Sequence, residues 1–143
     1  MVGIASVGAF AFTQKDIIVP NTSSMPEEIK IGLYPGVTYR FERHDYTESA
    51  VKFEIVIKNF STELQLATLS GEAIGSSPYN LQPIIWDREA QYAYWGFKII
   101  APESILPGVY EINLTKRVSG WLSSKGYPLR IKVIVDPLKE SSK

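Results

Sequence analysis

The sequence predicts an all-β chain, an antiparallel sandwich of about seven to nine short strands. Three observations carry this. Apolar and polar residues alternate along several runs, most cleanly Val51, Phe53, Ile55 and Ile57 against Lys52, Glu54, Val56 and Lys58. A strand turns successive side chains to opposite faces, so this period of two marks a half-buried strand. Proline and glycine punctuate the chain between the runs, at Tyr34-Pro35-Gly36, across Gly71 to Tyr79, and at Pro107-Gly108. One fixes φ and the other tolerates positive φ, which is turn chemistry. Finally, no window of about eleven residues or more carries a 3.6-residue apolar period.

In chain order, Val2 to Phe12 is apolar or small throughout. A bilayer span needs about 20 such residues, and no basic residues precede this run as they would in a signal peptide. Three readings stay open for residues 1–14: a first strand (Val2, Ile4, Phe10 and Phe12 share a face), a strand donated to a neighbouring subunit, or the stub of a membrane anchor. Residues 15–137 then form the sandwich and 138–143 a polar tail.

Ile17-Ile18-Val19 is a short apolar run closed by Pro20, and Asn21 to Ser24 a polar loop. Ile29 to Leu33 forms a strand before the Pro35-Gly36 turn. Val37, Tyr39 and Phe41 alternate with Thr38, Arg40 and Glu42. His44 to Ser49 is expected as a polar turn. After the Val51 strand, Leu64, Leu66 and Leu69 suggest another. Leu81 to Trp86 and Tyr92 to Ile100 follow, separated by Asp87-Arg88-Glu89. In the second of these, Ala93, Trp95, Phe97 and Ile99 form the core face and Tyr92, Tyr94 and Lys98 the other. Pro102 to Thr115 is a loop, a turn and a strand with Ile112 and Leu114 inward. Lys116 to Tyr127, with Trp121 inside it, is expected as a loop, and Leu129 to Val135 closes the sandwich.

Composition narrows the function. At 143 residues the chain is one domain that buries roughly 68–70% of its unfolded surface. Fifteen basic and fifteen acidic side chains cancel, which argues against nucleic acid as a partner. The absence of cysteine removes disulfides, thiolate metal sites and thiol nucleophiles. A single histidine, His44, removes His pairs. His44, Asp45 and Glu48 are the one grouping with metal-type residues, and that composition is ordinary for a solvated turn. No serine lies in a nucleophile-elbow sequence, and no glycine-rich loop cradles a phosphate. The expectation is a non-enzyme with no catalytic, cofactor-binding or metal residues.

Three of the four asparagines open an Asn-x-Ser/Thr pattern: Asn21, Asn59 and Asn113. Such acceptors point to a glycosylated, extracellular or cell-envelope surface. Asn113 sits in a strand, on its non-core face. Two further surface features stand out. Tyr92 and Tyr94 should share an outer face, where exposed tyrosines cover a sheet, stack on sugars or fill an interface. Val56 and Ile134 break the polar rows of their strands, and an apolar strip on an outer face marks an oligomer interface.

The order of signals resembles a prokaryotic immunoglobulin-like surface family, the CARDB-type and alpha-galactosidase-associated domains. The matching pieces are Phe53-Glu-Ile-Val-Ile-Lys-Asn-Phe-Ser61, Ile100-Ala-Pro102, the Pro-Gly-x-Tyr strand from Pro107 to Leu114, and Leu129 to Val135. The resemblance implies an Ig-like antiparallel sandwich. It also implies a corner in which Tyr110 bonds back to upstream backbone. By layout, an apolar start followed by a sandwich, the chain is similar to archaellum stator subunits and archaeal surface-filament subunits. The resemblance therefore implies an envelope interaction protein, homo-oligomeric, with an envelope or S-layer protein as partner and membrane association through its N-terminus. A carbohydrate-binding module using Tyr92, Tyr94 and Trp121, or a virion sandwich, is the alternative.

Overall fold

The computed structural model describes residues 27–47, 50–81 and 84–137. The N-terminal apolar segment, Ile17 to Val19, Asn21, Glu48 and the 138–143 tail lie outside the described residues. Among the described residues there are ten strands and no helix: β1 (Glu27–Leu33), β2 (Thr38–Tyr46), β3 (Lys52–Phe60), β4 (Gln65–Thr68), β5 (Ala73–Ile74), β6 (Tyr79–Asn80), β7 (Ile85–Asp87), β8 (Tyr92–Ile100), β9 (Gly108–Ser119) and β10 (Ser124–Val135).

They build two five-stranded layers. Sheet one has the order β1-β10-β9-β3-β6. Sheet two has the order β2-β8-β4-β5, with β7 beside β4 along the same edge of β8. The inward residues of the two layers, among them Ile31, Phe41, Phe53, Ile55, Trp95, Phe97, Ile112, Leu114, Ile131 and Val133, form one core. Phe41 packs tilted on Trp95 and Phe97, with centroids 5.8 and 5.4 Å away, a favourable aromatic geometry.

The all-β sandwich is as expected, and the core faces of β3, β8 and β9 follow the alternation residue by residue. The Tyr34-Pro35-Gly36 turn is present. Val37 donates its N–H to the Tyr34 carbonyl, and Gly36 takes φ +87°, a conformation that costs glycine little. Tyr110 forms the corner, its hydroxyl donating to the Leu106 carbonyl at 2.6 Å.

Several boundaries differ. The expected turn from His44 onward is strand through Tyr46, because Arg43 and Asp45 continue the inward phase of Phe41 as buried charged residues. The expected loop from Lys116 to Tyr127 is mostly a hairpin. β9 runs on to Ser119 because Lys116 points into the interior, and β10 starts at Ser124 rather than Leu129. The expected Leu81–Trp86 strand reduces to β6 just before it and β7 at its end. These two and β5 are too short to show alternation, which is why the strand count is higher than expected. β1 pairs parallel with β10, Glu27 beside Leu129 through Leu33 beside Val135. As the first and last of the described strands, they are not bound by the antiparallel geometry that a hairpin imposes.

One irregularity positions a functional candidate. β3 carries a bulge between Ile57 and Asn59. Lys58 is the extra residue, so Asn59 moves from the core face to the outer face and Phe60 moves inward beside Ile112. A bulge of this kind shifts every later side chain by one face.

Candidate functional site

The interior holds a polar knot that no sequence signal identified. Asp45 accepts a hydrogen bond from the Trp95 indole at 2.6 Å and from Lys116 Nζ at 3.1 Å. Arg43 lies 4.0 Å from Asp45 and 3.2 Å from Glu27. Lys116 also lies 3.8 Å from Glu27. Four charges of balanced sign thereby tie β1, β2 and β9 together across the two layers. The Arg43 Nε is buried with no acceptor among the described residues. Asp45 points inward and His44 outward, so the metal-type grouping of the sequence is split between two faces. Among the described residues no three His, Asp or Glu side chains converge as metal ligands.

Tyr92 and Tyr94 do sit on the outer face of sheet two. His44 joins them there from β2, 4.9 Å from Tyr94 and 6.0 Å from Tyr92 between ring centroids. Tyr46 lies at the end of the same face and donates to Gln91 Oε1 at 2.9 Å. Arg40 and Glu42 pair beside them at 2.7 Å. Burial, then the Glu42 carboxylate, pushes the Tyr94 hydroxyl above the ordinary tyrosine pKa, so it stays a neutral donor at physiological pH.

A cavity of about 190 Å³ opens where β4 and β7 leave a gap along β8, with Leu81, Ile85, Tyr94, Trp95 and Gly96 in its wall. Small-molecule sites begin near 300 Å³, so this gap is smaller than such sites.

On the outer face of sheet one, the bulge brings Asn59 beside Asn113. Asn113 Nδ2 donates to Asn59 Oδ1 at 2.9 Å, and Arg130 Nε donates to Asn113 Oδ1 at 3.4 Å. Two of the three glycosylation candidates thus touch each other. Val56 and Ile134 share this sheet but not one level. Val56 aligns with Thr115, and Ile134 with Val109, roughly 20 Å apart along β9 at the rise of a strand. Glu111 beside Lys132 and Asn113 beside Arg130 lie between them, so the apolar residues form two patches.

β2 is a nine-residue strand at one edge of sheet two, paired with β8 on one side and with no described strand on the other. The end of the β9–β10 hairpin carries Trp121 and Leu122, both exposed.

No protein-family model matches the sequence, and no curated protein matches it. Solved structures with some likeness include a family 123 glycoside hydrolase from Clostridium perfringens, at 11% identity and TM-score 0.44, covering 78% of this chain and 23% of that one. PbICP-C, solved in complex with falcipain-2, gives 14% identity and TM-score 0.45 over 86% of this chain and 100% of its own. AggA, the major subunit of aggregative adherence fimbriae type I from Escherichia coli, gives 12% identity and TM-score 0.40 over 86% and 100%. The chain spans less than a quarter of the hydrolase. At these identities and scores no activity or partner carries over, and the class defined by the chain's own geometry is a two-layer Ig-like sandwich.

Proposed function

We propose that this chain is a non-enzymatic interaction subunit of the cell envelope, an appendage subunit or its envelope anchor, that takes an extended segment of a partner chain along β2. The observation that carries the reading is the β2 edge. A long edge strand is a template for another chain, and monomers blunt it or cover it. Adding a strand to such an edge is an established mode of recognition. The Ig-like layout and the Asn-x-Ser/Thr patterns support an extracellular setting, where an S-layer or other envelope protein is the partner.

The cysteine-free sequence permits a clean test. A photo-crosslinker on Glu42→Cys, beside the edge, is compared with one on Glu111→Cys, on the outer face of sheet one. Incubated with envelope proteins of the source organism, the first should give adducts to an extended peptide of a partner and the second should not. Equal yields at both positions would sink the reading.

A second reading draws on His44, Tyr92 and Tyr94, whose rings share one outer face in the manner of a sugar-stacking platform. It requires glycan retention that Tyr92→Ala with Tyr94→Ala abolishes while the thermal transition persists.

A further inference from the structure

The β9–β10 hairpin ends in Gly120-Trp121-Leu122-Ser123, closed by the Gly120 N–H donating to the Ser123 carbonyl at 2.7 Å. Trp121 is 84% exposed and Leu122 97%. The other two tryptophans are engaged: Trp95 is buried against Asp45, and Trp86 is half-buried with its indole on Thr47 Oγ1. A closed turn that holds two large apolar side chains side by side in solvent gains nothing for the fold. It has the form of a contact surface.

Two facts indicate what covers it. The first is position. β1 runs parallel to β10 and begins beside Leu129, about 17 Å along the strand from Ser124. The described chain therefore starts about midway along β10, and β1 runs away from this tip toward the Tyr34–Val37 turn and Val135 at the other end. Residues 13–26 reach at most roughly 50 Å when extended, enough to bring the apolar run Val2 to Phe12 level with Trp121. The second fact is chemistry. Arg117 and Lys125 are exposed on the hairpin arms, and Lys52, paired with Glu54 at 3.5 Å, flanks Ser119. Tryptophan at the headgroup level, with cations and hydroxyls just behind it, is the composition of a bilayer-interface anchor. The β7–β8 turn at this end carries Asp87 and Glu89 with Arg88, so the hairpin alone, not the whole end, suits an anionic surface.

We propose that Trp121 and Leu122 form a lipid-contacting tip that enters the interfacial layer of a phospholipid bilayer. The tip seats the sandwich on the membrane by the end of the β9–β10 hairpin. This rests on the envelope setting but not on the β2 edge.

The test uses the full chain with vesicles of phosphatidylcholine and phosphatidylglycerol at 70:30 and of phosphatidylcholine alone. The unmodified protein should co-sediment with the mixed vesicles at least about tenfold more tightly than Trp121→Ala with Leu122→Ser. Brominated lipids should quench its tryptophan fluorescence and leave that of the double variant unchanged. The two side chains make no core contact, so both proteins should melt alike, and Leu122→Ser alone should fall between them. Equal vesicle binding would show that residues 1–26 do all the work, and would overturn the proposal. So would self-association without lipid that the double variant abolishes, since the occupant would then be a second copy.

Discussion

Asp45 is the residue on which the interior depends most. Both its oxygens are occupied, one by an indole N–H and one by an ammonium, and it is almost fully buried, as is Lys116. A buried pair contributes little over an apolar pair of equal volume, yet removing one partner strands the other charge. Asp45→Ala should therefore cost about 3–5 kcal/mol. Asp45→Leu with Lys116→Met should recover most of that loss and leave the Trp95 indole donor unpaired, at about 1–3 kcal/mol. Urea denaturation followed by circular dichroism measures both. A single variant as stable as the parent would show that water reaches the knot. The sequence hid this feature because charged residues at alternate positions normally mark a solvent face, and Arg43-His44-Asp45-Tyr46 has no apolar member on its inward phase.

At the level of elements, β2 and β8 approach unusually closely at Gly96, opposite Glu42. A Cβ there would meet the Phe41 carbonyl oxygen and would lie 3.1 Å from the Glu42 Cα. Backbone atoms cannot rotate away, so Gly96→Ala must push the strands apart, at the roughly 1–3 kcal/mol typical of overpacking. β2 has no described neighbour on its other side, so it is the strand that yields. Hydrogen exchange should quicken across Thr38 to Tyr46 in this variant and stay unchanged across the β9–β10 ladder. Uniform acceleration would mean that the two layers open together. The close approach is invisible in sequence, where Gly96 is one small residue inside an aromatic run. By contrast, β3, β8 and β9 were legible because one face is buried and the other wet, and the alternation records that directly. The Pro35-Gly36 turn was legible from residue chemistry, and the Tyr110 corner only through the resemblance to Ig-like sandwiches. The Lys58 bulge was not, since a one-residue shift of register leaves composition and spacing untouched.

For the molecule as a whole, the question is which surface is left for partners, and the Asn59–Asn113 contact bears on it. An N-linked glycan is attached at Nδ2. Asn113 commits that atom to Asn59 and its oxygen to Arg130, in the middle of a strand flanked on both sides. Asn59 is exposed, at the end of β3, beyond the bulge. Residues facing each other on antiparallel strands have Cα atoms only about 4.5–5.5 Å apart, too close for two glycans. Single occupancy at Asn59 is therefore expected. Intact-mass and glycopeptide spectra of protein from a glycosylating host should show one glycan on this pair, lost in Asn59→Gln and retained in Asn113→Gln. A glycan on Asn113 in the folded parent protein would refute this. The consequence is a division of surfaces. A glycan on Asn59 shields the outer face of sheet one around Val56, and Val109 beside Ile134 keeps a small apolar patch at the far end of that sheet. The surfaces clear of a glycan on this pair are then the Val109–Ile134 patch, the β2 edge, the His44–Tyr92–Tyr94 face and the Trp121–Leu122 tip. Chain contacts along one side and lipid at one end place no two of the proposed partners on the same atoms, so one sandwich can stand on a membrane and hold a neighbouring chain at once.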